Sequence, residues 1–135
     1  MDIEVTSQAL TAMRAAAAAA HPHEVCGLLL GEGARITEAR VAHNVHPAPA
    51  THFEIDPQAL IDAHRAARGG GPEVLGYFHS HPVGVAEPST TDHACAARDG
   101  RVWAIIAAGI AGHDVRFWRD GDRGFAALSF ATIES

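Results

Sequence analysis

Apolar positions change their period several times along the chain, and each change marks an element. Residues 8–20 are dominated by alanine, the strongest helix former, with Ser7 placed to cap them and His21-Pro22 to end them. This pattern predicts a first helix from Ser7 to about Ala20. Residues 25–30 are apolar, with Gly27 and Gly31 as punctuation, and the run is short enough for a buried strand. Residues 36–45 and 52–55 read as neighbouring strands separated by the turn Pro47-Ala48-Pro49. Asp56-Pro57 then opens a second helix, with Asp56 as N-cap and Pro57 at the first helical position. It runs to Arg68, where Gly69-Gly70-Gly71-Pro72 breaks it, and its expected inner side carries Leu60, Ile61, His64 and Ala67. A strand over residues 74–80, a loop over 82–88 and a third helix from Ser89 to about Arg98 follow. Three strand-like runs, at 102–108, 113–118 and 125–130, come last. Helices interleaved with strands in this order predict an α/β or α+β layered domain. With no internal repeat, long linker or low-complexity tail, residues 1–135 read as one domain.

Composition narrows the classes. A chain of 135 residues can bury roughly two-thirds of its unfolded surface in one core, so it needs no disulfide to fold. Its two cysteines, Cys26 and Cys95, form neither a CxxC pair nor a framework, which fits a reducing cytoplasm. A net charge of -6 with pI ≈ 5.9 opposes a sequence-independent hold on nucleic acid or on an anionic membrane. The alanine run is no secretory core, because Asp2 and Glu4 precede it with only Arg14 as a positive charge. No segment reaches the length and apolarity of a membrane span. The expectation is a soluble cytoplasmic protein.

The densest chemistry lies where the strand over 74–80 ends. His79 and His81 are two apart, so a strand presents both imidazoles on one face, and Pro82 stops that strand. Ser89 and Asp92, three apart on the first turn of a helix, follow a short loop containing Gly84 and Pro88. A catalytic zinc site takes three protein ligands and keeps a position open for water, and His79, His81 and Asp92 supply three of the right kind. Hydrolysis of an amide further needs a group that takes a proton and returns it to the leaving amine. Glu24, at the start of the strand over 25–30, is the preferred carboxylate, with Glu73 and Glu87 as rivals. Glu73 stands at the far end of the strand from His79, roughly 20 Å by strand rise.

Together, Glu24, His79-Ser80-His81-Pro82 and Ser89-x-x-Asp92 resemble the JAMM motif of the MPN+ metalloproteases. Glu24-x-Cys26-Gly27-Leu28-Leu29-Leu30-Gly31 is similar to the start of their prokaryotic, JAB-type branch, and the likeness runs over nearly the whole chain. The resemblance implies a cytidine-deaminase-like fold, a central mixed β-sheet flanked by helices, around one zinc ion. It implies His79, His81 and Asp92 as ligands, Glu24 as general acid/base, and Ser89 as a hydrogen-bond donor to the tetrahedral oxyanion. It also implies cleavage of a peptide or isopeptide bond after the Gly-Gly tail of a ubiquitin-like or sulfur-carrier protein. Release of cysteine or another amino acid from a sulfur carrier is the alternative within this class. The short stretch between the third helix and Trp118 leaves no room for the second insertion of eukaryotic relatives, so linkage selectivity does not follow. Residues 44–53 are expected to offer a strand to an extended tail.

Plainer roles compete for the same residues. Ser89 and Asp92 are also what a helix N-terminus requires, and the two roles can coexist. His21 and His23 make a second HxH pair, read as surface residues because Pro22 separates them and no aspartate matches. Cys26 and Cys95 read as small buried hydrophobes, although either might approach the metal. Two other functions remain: a non-catalytic MPN-type scaffold, which the full ligand set disfavours, and a DNA-associated role like that of the RadC group, which the acidic charge disfavours.

Overall fold

The computed structural model describes residues 1–109 and 112–134. Among these residues, eleven elements follow one another: β1 (Ile3–Thr6), α1 (Ser7–Ala20), β2 (Cys26–Glu32), β3 (Arg35–Ala42), α2 (Pro57–Arg68), β4 (Glu73–His81), α3 (Thr90–Cys95), β5 (Val102–Gly109), β6 (Gly112–Gly121), β7 (Gly124–Leu128) and β8 (Phe130–Ile133). The strands form a single mixed sheet in the order β7-β6-β5-β4-β2-β3-β1-β8. β4 pairs with β5, and β1 with β3 and β8, in parallel, while the other neighbours run antiparallel.

β7 and β8 lie at opposite ends of that order, yet only Ser129 separates them in the chain. The sheet must therefore curl until its two edges meet. α1 fills the hollow: Ala9, Leu10, Met13 and Ala17 pack with Ile3, Val5, Leu29, Ile36, Phe78, Ala104, Ile106 and Phe117. On the outer face α2 lays Ala59, Leu60 and Ala63 over Cys26, Leu28, Leu30, Ile55 and Val74. Gly27 is required within the sheet, since a Cβ there would collide with the Arg40 carbonyl of β3 and the Phe78 ring of β4. No helix among the described residues is long and apolar enough to cross a membrane.

A layered fold with a central mixed sheet is therefore present, but several elements differ from expectation. β1 escapes a reading by long apolar runs, because only Ile3 and Val5 alternate inward in it. The run over 125–130 is two strands, broken at Ser129, whose N–H and hydroxyl both donate to the Asp2 carboxylate. α3 stops at Cys95, and Arg98 beyond it has φ 55, with its N–H donating to Asp120 at 2.9 Å. Residues 52–55 form no strand; only an isolated bridge joins Asn44 to Ile55. The Asn44 side chain supplements the two backbone bonds of that bridge, accepting from the N–H groups of His46 and Glu54. Ile61, expected on the inner side of α2, is exposed at 46%, and Ala63 is buried instead.

Candidate metal centre

β4 is central in the sheet, with His79 opposite Cys26 of β2 and Ile105 of β5. The period of two turns His79 and His81 to the outer face, both buried, while Phe78 points to the α1 side. Ser80, between the histidines, has a different task. Its N–H donates to Val25 O at 3.0 Å and its hydroxyl accepts from Val25 N at 2.9 Å. This extends the antiparallel pairing beyond Cys26 and carries Glu24 alongside His81.

Asp92 arrives from the start of α3. Ser89 and Asp92 form a reciprocal capping box: Asp92 N donates to Ser89 Oγ at 3.0 Å and Ser89 N to Asp92 Oδ2 at 2.9 Å. The same carboxylate thus caps α3 and faces the two histidines, and the Ser89 hydroxyl hydrogen is left to donate elsewhere. The connecting loop, which turns at Gly84 with φ 108, is pinned at two successive carbonyls. Val85 O accepts from His81 Nδ1 at 2.8 Å, and Ala86 O accepts from the Trp118 indole at 3.2 Å. The first of these bonds fixes the tautomer of His81, since a carbonyl can only accept. In neutral His81 this leaves Nε2 as the nitrogen able to take a metal.

Three donor groups converge. His79 Nε2 and His81 Nε2 are 3.2 Å apart, and each lies 3.0 Å from an oxygen of Asp92. Zinc bonds of about 2.0–2.1 Å at tetrahedral angles place neighbouring ligand atoms roughly 3.3 Å apart. The arrangement is near that spacing, and the donor set, two imidazoles and a carboxylate, is one zinc accepts. Among the described residues this is the one group of three such side chains close enough to hold a metal.

The close packing of these groups also shifts their protonation. Burial would raise the Asp92 carboxyl, but hydrogen bonds from His79 and His81 hold it well below the usual range. Burial opposes charge on His81, yet Asp92, the Val85 carbonyl and Glu24 together raise its pKa. His79 is wholly buried, and that burial lowers its pKa despite Asp92. Glu24 is 8% exposed, and burial pushes its carboxyl up to about 7, with His81 pulling it back and Asp92 adding to the rise.

These shifts set the pH response of metal-stripped protein. Glu24 is raised above its ordinary 4.5, so its stabilising effect is complete below that value and is lost as pH climbs towards 7. His81, raised above 6.5, acts in the same sense at higher pH. Asp92, which is lowered, stays ionised and adds no slope, whereas His79, lowered below 6.5, acts in the opposite sense until pH passes that value. Stripped protein is therefore expected to melt at a lower temperature at pH 8 than at pH 7, where the opposing His79 contribution has faded, with zinc reversing the trend because binding displaces protons. Thermal denaturation across that range, with and without zinc, checks it; a stripped protein as stable at pH 8 as at pH 7 contradicts it.

Other side chains settle into plainer places. Glu73 accepts from Gly33 N far down β4, and Glu87 is exposed. His21 and His23 are exposed and belong to no metal-holding group among the described residues. Cys26 is buried beside Glu24 with its thiol pushed up to about 12 by burial, an inert environment. Cys95 is exposed rather than buried, because α3 ends there and turns it outward. Sequence reasoning missed the aromatic cage of His79: Phe53 stacks on it at 4.3 Å and Trp103 meets it edge-on at 5.6 Å. No spacing rule links residue 53 to residue 79, so only the fold brings them together.

The sequence profile described as prokaryotic homologs of the JAB domain matches residues 6–121. The chain belongs to the prokaryotic JAB family. This JAB-family chain is 37% identical over 100 residues to a desampylase of Haloferax volcanii, covering 73% of this chain and 72% of that one. A probable TtuB-protein conjugate cleaving protease of Thermus thermophilus is 47% identical over a shorter stretch of 49 residues, 36% of this chain and 33% of the other. The solution structure of a Desulfitobacterium hafniense protein superposes with a TM-score of 0.84 at 30% identity, covering 98% of this chain and 94% of that one.

Proposed function

We propose that this JAB-family chain is a zinc-dependent isopeptidase that hydrolyses the bond after the C-terminal Gly-Gly tail of a ubiquitin-like or sulfur-carrier protein. The observation that carries this reading is the convergence of His79 Nε2, His81 Nε2 and Asp92 within 3.0–3.2 Å, with the Glu24 carboxyl beside them. Conjugate-cleaving names among the relatives support the substrate class.

His79, His81 and Asp92 would hold the zinc. A bound zinc ion would supply Lewis-acid polarisation of an attacking water and of the scissile carbonyl. Glu24, with its pKa near 7, takes a proton from that water and hands it to the departing amine. The Ser89 hydroxyl, whose oxygen is engaged as a helix cap, directs its hydrogen at the oxyanion. An apolar pocket of ≈ 330 Å³, lined by Phe53, Ile55, Leu60, Tyr77 and Trp103, adjoins the His79 cage and suits an apolar side chain of the entering tail.

Zinc-loaded protein, assayed on ubiquitin-like tails that carry either a protein or a single amino acid after Gly-Gly, is expected to release the leaving group. A chelator should abolish release and added zinc restore it. Cleavage of the amino-acid adducts alone would move the substrate to sulfur-carrier processing. Release that survives thorough chelation would end the zinc reading.

A further inference from the structure

Glu24 lies two residues before β2, beyond the paired part of the strand. Its own backbone groups are held from elsewhere. Its N–H donates to Pro49 O at 2.7 Å, and its carbonyl accepts from Asn44 Nδ2 at 3.0 Å. Asn44 Nδ2 also donates to His52 O at 3.1 Å, while Oδ1 accepts from His46 N at 3.1 Å and from Glu54 N at 3.0 Å. A carboxamide has two donor hydrogens and two acceptor lone pairs, and here all four are used. Together with the backbone bonds Val45 N to Glu54 O at 2.9 Å and Asp56 N to His43 O at 3.0 Å, these fold residues 44–54 back on themselves. One side of the resulting loop meets Glu24 through Pro49, and the other lays Phe53 on His79 with the rings 17° from parallel. That stack matters because His79 Nδ1 has no hydrogen-bond partner among the described residues to fix the ring.

We propose that Asn44 is a positioning residue: its carboxamide sets the backbone at Glu24 and closes the loop that seats Phe53 on His79. The proton carrier and a metal ligand are thereby held in one frame. The inference rests on the role given to Glu24 above. It also explains why the amide is needed. Aspartate has the same shape, but its second oxygen would face the carbonyls of Glu24 and His52 where two N–H donors now stand.

The test is a double-mutant cycle of Asn44→Ala and Glu24→Gln, read both by turnover and by amide exchange. A displacement near 1 Å of a reacting group costs on the order of 100-fold. Asn44→Ala should lower kcat by about 10- to 100-fold with zinc content kept. In the Glu24→Gln background the added loss should shrink to less than about threefold, since Asn44 acts largely through the group already removed. Independently of activity, the Glu24 amide should exchange about tenfold faster or more in Asn44→Ala, with β5 amides unchanged. Losses that multiply in the double variant, or unchanged protection at Glu24, overturn the proposal. Asn44→Asp should behave as Asn44→Ala; if neither variant folds, Asn44 serves the fold at large and the positioning role is overturned. A parent protein that cleaves no tail would remove the functional reading, and the exchange measurement then decides the brace by itself.

Discussion

Glu24→Gln is expected to reduce kcat by about 10²- to 10⁴-fold, the range that a positioned acid/base contributes, while one zinc per chain is retained. Glutamine fills the same space and can accept a hydrogen bond, but it cannot carry a proton from water to amine. The zinc should stay because the converging donors are His79, His81 and Asp92, and Glu24 is not among them. The variant should also lose part of the decline in melting temperature expected of stripped wild type between pH 7 and 8, because the group whose carboxyl is pushed up to about 7 is gone. Metal analysis, steady-state kinetics and melting curves on one preparation cover all three points. A normal rate in this variant would falsify the assignment of the proton carrier.

Asp92→Asn should have the opposite signature: metal is lost and the fold is kept. Partners that merely orient a ligand cost 10- to 100-fold in metal affinity when removed, and loss of a ligand should exceed about 100-fold. The carboxamide oxygen of asparagine can still accept from Ser89 N and its backbone can still donate to Ser89 Oγ, so the start of α3 survives. Competition against a chelator of known affinity measures the first effect and thermal denaturation the second. A variant that keeps its zinc would reduce Asp92 to a helix cap. A variant that unfolds would show that the cap outweighs the ligand role.

Much of the site was legible in sequence because strand and helix periods are rigid rules. His79 and His81 face one way since they sit two apart on a strand, and Ser89 and Asp92 meet since they sit three apart on a first turn. Glu24 is preferred over Glu73 and Glu87 from its place at the start of an apolar strand, and the family resemblance agrees, but neither shows what carries it to His81. The physical reason, the Ser80 bonds to Val25 that extend the ladder, cannot be seen without the pairing register. Residues 44–53 are read from sequence only as a strand for the tail; the side-chain roles of Asn44, Phe53 and Trp118 escape it because each acts across a loop with no period. In the fold, the spans of α1 and α2 are read well, although Thr6 rather than Ser7 caps α1, its side chain accepting from Ala9 N. β1 and the β7/β8 break are not, because β1 and β8 are four-residue strands that pair with each other across more than 100 positions.

That last pairing bears on how the chain reaches this structure. β1 joins β8 in parallel, Ile3 to Phe130 through Thr6 to Ile133, and Asp2 binds Ser129 across 127 positions. Contacts of such high sequence separation slow folding, since the loop must close before the pairing rewards it. β1 can pair early with β3, but its other side stays open until β8 is available, so the sheet closes on itself only once the chain through Ile133 can join it.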